Sequence, residues 1–269
     1  MLGDVSKNMK KGMKDNIERK QPSINEVQYH NGFPLFSFLE LNLNEVCNRR
    51  CPFCPRSDPK TYPQRNVHMD VSIPTIIADQ LVDLDFNGII NISGTGEPTL
   101  TPHIADIVKV FGDRGIHVEI VTNGDIIKNK RKGPALIEKL YNAGLKQFVV
   151  SMYDGPHQIE SFDNLFASCG IDKSLYSLRD RWYDASEDYG LLYTNRAGNI
   201  GFEFLSDIAK DKLMKSGKSA CYYTHYSMMI DWDGDALICC QDMYNRTVKF
   251  GNVKTKPLLD IWMDGKLME

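Results

Sequence analysis

The sequence predicts an α/β fold built on a parallel β-sheet. Short segments with the apolar pattern of strands alternate with segments in which apolar residues recur at helical spacing. This order of elements implies right-handed βαβ units, whose strands end at a common edge of the sheet. Cysteines, glycines and small polar residues directly follow several of the predicted strands. Because reactive groups gather at the carboxyl ends of parallel strands, we expect the functional site at that edge.

The first predicted strand, at 38–43, alternates apolar and polar side chains and leads into Cys47. Four further strands are predicted at 88–93, 117–122, 147–152 and 175–179. Helical segments are predicted near 76–82, 104–111 and 136–141. A glycine follows each helical segment, and we expect these glycines to cap the helices at their C-termini: Gly88, Gly115 and Gly144.

Composition and charge narrow the class of protein. Lys and Arg total 32 against 35 acids, so the net charge of −3 argues against a nucleic-acid partner. No apolar run approaches the roughly 20 residues of a membrane span, and no signal peptide is recognisable. We therefore expect a cytoplasmic protein without a membrane partner. In that reducing compartment the seven cysteines favour metal binding over disulfides.

Three cysteines form a compact motif on the loop after the first strand. Cys47, Cys51 and Cys54 have the spacing C-x3-C-x2-C, and thiolates suit the soft iron of Fe–S clusters. Three thiolates on a four-iron cluster leave one iron open to an exogenous ligand. One alternative is a structural zinc site completed by His68. Another is a ferredoxin-like carrier, whose C-x2-C-x2-C spacing differs from the one seen here.

The motif C-x3-C-x-Φ-C, in which Phe53 is the aromatic position, resembles the signature of the radical S-adenosylmethionine (SAM) superfamily. The resemblance implies a partial, TIM-like (β/α)6 barrel, assigned here to 35–205 after a polar extension at 1–34. It also implies that SAM binds the open iron of a [4Fe–4S] cluster. Reductive cleavage of SAM would then release a 5′-deoxyadenosyl radical that abstracts a substrate hydrogen.

The same resemblance implies which residues contact SAM. The stretch from Ser93 to Pro98 resembles the family's Gly-Gly-Glu motif, with Thr95 between the glycines. Glycines permit close backbone approach, and a carboxylate suits the SAM amino group, although Glu97 could instead cap the following helix. The implied cofactor-binding residues, with Arg179 facing the SAM carboxylate, are Phe53, Gly94, Gly96, Glu97, Thr122, Asn123, Ser151 and Arg179.

The C-terminal region, at 206–269, contains a second cysteine pattern. A hairpin is predicted with its turn at Asp233-Gly234, and a final helical segment follows near 258–262. The arrangement of Cys221, Gly234 and Cys239 resembles the SPASM or twitch extension, which implies an auxiliary [4Fe–4S] cluster bound by those two cysteines. The pattern departs from that family because no cysteine follows Cys240, so the completeness of this second site is open.

The resemblance implies an oxidoreductase that oxidises or otherwise functionalises a small polar, sugar-like substrate. It also implies an electron donor of the flavodoxin or ferredoxin type. The first alternative is a maturase of a ribosomally made peptide, and the second is a non-catalytic zinc or iron–sulfur protein. No residue is distinguished by the sequence as a catalytic acid or base.

Overall fold

A computed structural model describes residues 18, 20–22, 25–51, 54–60, 62–182, 214 and 223–267. Phe53, Cys221 and the predicted domain boundary at 205/206 lie outside these ranges. The strands of the described ranges are β1 Tyr29–His30, β2 Phe33–Pro34, β3 Phe38–Leu41, β4 Asn44–Glu45, β5 Arg65–His68, β6 Ile89–Ile92, β7 His117–Thr122, β8 Gln147–Met152, β9 Tyr176–Asp180, β10 Ser227–Ile230, β11 Asp235–Leu237 and β12 Lys249–Asn252. The α-helices there are α1 Ser72–Asp83, α2 Ile104–Gly112, α3 Gly133–Asn142, α4 His157–Ser168 and α5 Leu258–Leu267.

An eight-stranded sheet organises the fold, in the order β12-β11-β10-β3-β6-β7-β8-β9. The six strands from β10 to β9 in this order run parallel, whereas β11 and β12 are antiparallel additions at one end. The predicted α/β fold with a partial barrel is confirmed. The C-terminal strand β10 pairs in parallel with β3, which the sequence did not predict.

The two faces of the sheet differ in chemistry. Leu39 and Leu41 of β3 belong to the main hydrophobic core, together with the apolar faces of the helices. Fully burying an aliphatic side chain of this size stabilises the fold by about 1.5–3 kcal/mol. Glu40 of the same strand and Asn42, which directly follows it, are buried on the opposite face. The interior of the partial barrel is therefore lined in part by polar side chains.

The predicted helix caps are correct at two of three positions. Gly115 and Gly144 have positive φ angles of 72° and 100°, as a left-handed cap requires. The prediction for Gly88 was wrong, because the left-handed residue after α1 is Asp85, with a φ of 50°. A Cβ atom on Gly88 would come within 2.4 Å of the Phe86 ring and of the Ser37 carbonyl oxygen. Gly88 is therefore needed for close packing rather than for capping.

The C-terminal region has the predicted hairpin and final helix. β10 and β11 pair antiparallel, and Gly234 takes a φ of 92° in the turn between them. At the other end of the described chain, β1 and β2 form a small hairpin within the predicted polar extension. No helix in the described ranges is long and apolar enough to cross a membrane.

Candidate active site

The three cysteines of the predicted cluster loop line one cavity of about 180 Å³ at the carboxyl ends of the strands. The opposite walls come from the ends of β6, β7 and β8. They contain most of the predicted SAM-binding residues: Gly94, Gly96, Glu97, Thr122, Asn123 and Ser151. Arg49, Tyr153 and Tyr244 also line the cavity. The topology therefore brings together side chains that lie far apart in the sequence.

Arg49 holds the cysteine loop against two other strand ends. Its guanidinium donates hydrogen bonds of 2.6 Å to both carboxylate oxygens of Asp125 and of 2.7 Å to both oxygens of Asp154. These two carboxylates raise the pKa of Arg49 above its ordinary value, so the side chain stays charged. The ring of Tyr153 lies 5.3 Å from the guanidinium carbon. Bidentate pairs of this kind fix geometry as well as contributing energy, so Arg49 sets the position of the loop.

Further hydrogen bonds fix the start of the loop. The Gln64 side chain accepts a hydrogen bond from the Cys47 amide at 3.0 Å and donates one to the Cys47 carbonyl at 2.8 Å. The Asn123 side-chain amide donates to the Asn48 side chain at 2.8 Å and lies 4.0 Å from the Cys47 sulfur. Asn123 therefore both lines the cavity and holds the cysteine loop through its hydrogen bond to Asn48.

The donor set fits an iron–sulfur cluster. The three thiols are half-buried and lie close enough to act on one another. Burial, with the other two thiols adding to it, raises the pKa of Cys51 to about 12, and burial likewise raises the pKa of Cys47. Such thiols lose their protons when a cationic metal centre binds them, as thiolate ligation requires. Three soft donors facing a cavity suit a cluster with one open iron.

The zinc alternative finds no support in the described part of the chain. There, no group of three or more His, Cys, Asp or Glu side chains is placed to hold a single metal ion. His68, which was considered as a fourth ligand, lies on β5, and its Nε2 is 3.0 Å from the Asn66 side-chain oxygen.

Glu97 takes the capping role that the sequence left as an alternative. Its Oε1 accepts hydrogen bonds from the Thr99 amide at 3.1 Å, the Thr99 hydroxyl at 2.6 Å and the Thr122 hydroxyl at 2.6 Å. Its Oε2 accepts one from the Asn123 amide at 2.8 Å. Burial raises the pKa of this carboxyl, while these donors act in the opposite direction. Glu97 thus caps the short helix Pro98–Leu100 and ties it to the end of β7.

Gly94 and Gly96 are required by close packing against Asn42, which follows β3, and Asn44, which begins β4. A Cβ atom on Gly94 would lie 2.0 Å from the Asn42 side-chain oxygen, and one on Gly96 would lie 1.8 Å from that of Asn44. Asn42 in turn accepts a hydrogen bond of 3.0 Å from the Thr95 amide. The motif resembling Gly-Gly-Glu is therefore closely locked to the strand that leads into the cysteine loop.

Ser151 and Arg179 lie on adjacent strands in register, at the ends of β8 and β9. Ser151 lines the cavity, whereas Arg179 is buried on the same face and is not among the residues of the cavity wall. The Tyr153 hydroxyl hydrogen-bonds Ser151, and burial raises the pKa of Tyr153 to about 12. Sequence reasoning did not identify Tyr153, because no local signal distinguishes it from its neighbours after β8.

Of the predicted auxiliary ligands, the structure describes only Cys239, which is half-buried after β11 and does not line the cavity. Its neighbour Cys240 packs with Tyr244 against a small apolar cluster of Met229, Leu237 and Met243. Tyr244 then reaches the cavity, where its hydroxyl lies 3.4 Å from the Cys54 sulfur. Sequence reasoning missed Tyr244 because 190 residues separate it from Cys54.

Comparisons with known proteins agree with this geometry. Residues 41–163 match the family model of the radical SAM superfamily, and residues 221–269 match that of an iron–sulfur cluster-binding domain known as SPASM. A relative from Niallia circulans, an S-adenosyl-L-methionine-dependent 2-deoxy-scyllo-inosamine dehydrogenase, is 27% identical over 237 residues. That alignment covers 86% of this chain and 84% of the relative.

Solved structures are similar over the same length. A crystal structure of BtrN in complex with AdoMet and 2-DOIA has a TM-score of 0.65 and 25% identity, and the match covers 87% of this chain and 85% of BtrN. BtrN in an open conformation has a TM-score of 0.57 at 22% identity, with 87% and 84% of the two chains covered. This second similarity concerns the fold. The match to the radical SAM model implies that a [4Fe–4S] cluster and SAM are cofactors of this chain. The match to the SPASM model implies that its C-terminal domain also binds an iron–sulfur cluster.

Proposed function

Since this chain belongs to the radical SAM superfamily and carries a SPASM domain, we propose that it oxidises a carbon bearing a hydroxyl group in a small, sugar-like substrate. The observation that carries the proposal is the single cavity shared by Cys47, Cys51, Cys54 and the strand ends at Gly94–Glu97. The proposed cluster ligands and the backbone proposed to bind SAM line the same cavity, which supports a substrate site between them.

The cluster and SAM, when bound, supply the radical that removes a hydrogen atom from the substrate. The residues of this chain bind, orient and enclose these groups. Cys47, Cys51 and Cys54 would hold the cluster. The locked strand ends at Gly94–Glu97 and Thr122-Asn123, with Ser151, form the wall available to SAM. Arg49 keeps the loop in register with those ends, which preserves the orientation that radical transfer requires.

The interior of the barrel supports a polar substrate rather than an apolar one. Beneath the cavity, β3, β6 and β7 present Glu40, Asn91 and Glu119 side by side, and all three are buried. Polar groups of this kind are found where a pocket fixes the orientation of a polar ligand. The Niallia circulans relative is named for its action on 2-deoxy-scyllo-inosamine, and we propose a cyclic polyol of that class for this chain.

Oxidation of an alcohol to a ketone removes two hydrogen atoms from the substrate. One leaves from carbon as a hydrogen atom to the deoxyadenosyl radical, and the second is lost as a proton and an electron. An iron–sulfur centre in the C-terminal domain, which Cys239 would help to hold, would supply an acceptor for that electron. A donor of the flavodoxin or ferredoxin type is proposed to supply the electron that starts each cycle.

The first experiment is an EPR spectrum of the anaerobically reconstituted, reduced protein, with and without SAM. A [4Fe–4S]+ signal that changes shape on addition of SAM is expected. The same sample, given SAM, dithionite and 2-deoxy-scyllo-inosamine or related polyols, should yield 5′-deoxyadenosine and a ketone in equal amounts. Deoxyadenosine formation that no polyol stimulates, with no ketone from any of them, would overturn the proposed substrate class.

A further inference from the structure

Three polar side chains form a row across the interior of the partial barrel. In the register of the sheet, Glu40 of β3 is paired with Asn91 of β6, and Asn91 is paired with Glu119 of β7. The residues that flank them along each strand, such as Leu39 and Ile90, belong to the helix-facing core, so the row faces the barrel interior. Glu40 is 4% exposed, Asn91 3% and Glu119 1%.

Two acceptor atoms of this row have no hydrogen-bond partner in the described part of the chain. Glu40 Oε1 accepts a hydrogen bond from the Tyr223 hydroxyl and lies 3.5 Å from the Asn91 amide nitrogen. Glu40 Oε2 and the Asn91 side-chain oxygen are buried and unpartnered. Burying an acceptor without a donor is unfavourable, and it is most unfavourable for a carboxylate. A ligand that donates hydrogen bonds to these two oxygens would remove that cost.

The row lies directly beneath the cavity that holds the cysteines. Ser93 and Val121, which line that cavity, are two residues further along β6 and β7 than Asn91 and Glu119. That separation along a strand is about 7 Å on the same face. On the side away from the cavity, the Tyr223 hydroxyl donates to Glu40. The Lys20 ammonium lies 5.1 Å from the centre of the Tyr223 ring. Neither Glu40 nor Asn91 lines the cavity wall, so a ligand would reach them by extending about 7 Å below Ser93 and Val121.

We infer that Glu40 and Asn91 form a subsite for a protonated amino group on the substrate. This inference rests on the proposed function, and it adds that the enzyme selects polyols that carry an amino group. An ammonium has three donors and a positive charge, so one group can reach both free acceptor atoms and neutralise the buried carboxylate. A hydroxyl has one donor and no charge, so it leaves one of the two acceptors unpaired.

The chemistry of the row also separates this subsite from a metal site. The described part of the chain contains no group of three or more potential ligands arranged around a single ion. Glu40 and Asn91 offer two free oxygens on adjacent strands, whereas hard cations require about six oxygen ligands. An organic ammonium, held by these two acceptors and the surrounding interior, fits the two free oxygens better than a hard cation does.

The test is a binding measurement on the reconstituted holoenzyme with SAM, by isothermal titration calorimetry and without a reductant. The two probes are 2-deoxy-scyllo-inosamine and the same ring with a hydroxyl in place of its amine. The wild-type protein should bind the amine at least tenfold more tightly than the hydroxyl analogue. Glu40→Gln keeps an acceptor for Tyr223 but loses the charge, so the ratio of the two affinities should fall below about twofold.

Glu119→Gln is the matched control, because Glu119 is buried in the same row but has His117 at 3.5 Å as a partner. It should change both affinities by a similar factor and preserve their ratio. Equal binding of the two probes by the wild-type protein, or no binding of the amine, would overturn the inference without using any variant. So would loss of the preference in Glu119→Gln but not in Glu40→Gln.

The failure of this inference is distinguishable from the failure of the proposed function. If the amine binds preferentially but no ketone forms from any polyol, the subsite stands and the proposed oxidation falls. If an amine-free polyol is oxidised and bound as well as the amine, the oxidation stands and the subsite falls.

Discussion

The hydroxyl oxygen of Tyr244 lies 3.4 Å from the sulfur of Cys54, and this contact joins the C-terminal region to the cysteine loop. The Tyr244 ring is held edge-on against Tyr62, with ring centres 4.8 Å apart. Tyr62 in turn lies under the Arg56 guanidinium, which donates a hydrogen bond of 2.6 Å to the Thr95 carbonyl. The position of the hydroxyl is therefore fixed from both the cysteine loop and the strand end at Thr95.

Replacing Tyr244 with Phe should lower the reduction potential of the cluster. A hydroxyl that donates to a cluster thiolate stabilises the more negative, reduced state, and its loss costs about 1.4 kcal/mol, or about 60 mV for one electron. Potentiometric titration followed by EPR measures this shift. Tyr62→Phe is the control, since its hydroxyl contacts the Met243 carbonyl at 3.4 Å instead of a sulfur. An unchanged midpoint in Tyr244→Phe would exclude the hydrogen bond.

Replacing Cys51 with Ala should abolish SAM cleavage. Two thiolates leave the cluster short of a protein ligand, so we expect loss of the SAM-sensitive EPR signal and of 5′-deoxyadenosine formation. Cys169→Ala is the matched control, because Cys169 packs against the hydrophobic core at the end of α4. It should retain both properties. Deoxyadenosine formation at the wild-type rate by Cys51→Ala would refute the assignment of the loop.

Glu97→Gln should reduce stability, because the partners of the Glu97 carboxylate among the described residues are all hydrogen-bond donors. A glutamine side chain must turn an NH2 group toward either the Asn123 amide or the Thr99 and Thr122 donors. Leaving such buried groups unsatisfied costs about 1–3 kcal/mol of unfolding free energy. Chemical denaturation measures the cost, with the exposed Glu138→Gln as control. A variant as stable as the control would mean that these hydrogen bonds contribute nothing.

Asp231→Asn should flatten the pH dependence of stability. Burial raises the pKa of Asp231 to about 6, from 3.8, so the folded state binds this proton more tightly than the unfolded chain does. Folding stability therefore falls as the pH rises toward 6, by about 1.4 kcal/mol between pH 5 and pH 7. Denaturation of the anaerobic protein across this range should show the fall in wild type but not in Asp231→Asn.

The control for that experiment is Asp79→Asn, at an exposed carboxylate that pairs with Arg114 at 2.6 Å. Exposed pairs contribute about 0–1 kcal/mol, so its profile should follow the wild type. A pH profile of Asp231→Asn that is parallel to the wild type would contradict a raised pKa at this position.

The strands and the location of the site were predictable because they depend on local pattern. The segments 117–122 and 147–152 are strands to the residue, and the Cys47 loop and the Gly94–Glu97 motif follow strands as expected. The sequence motifs also indicated the cavity wall, since parallel strands bring their carboxyl ends to one edge.

Other features of the site depend on pairings that local pattern does not encode. Arg49 binds Asp125 and Asp154, which are 76 and 105 residues away, and nothing near any of them signals the contact. The role of Glu97 was ambiguous because a carboxylate after a glycine-rich turn suits both a cap and a cationic ligand. The row of Glu40, Asn91 and Glu119 emerges only when the strand register is known.

The parallel pairing of β10 with β3 bears on how this protein can be recombined with its relatives. Although the two regions match separate family models, the residues of β10 supply the neighbour that keeps β3 from being an edge of the sheet. A chimaera that exchanged the C-terminal region at a boundary after Ile230 would preserve this pairing. One that omitted Ser227–Ile230 would leave the backbone of β3 unpaired along one side and open to association with other chains. The two regions therefore match separate sequence families, yet they share one β-sheet and depend on each other for folding.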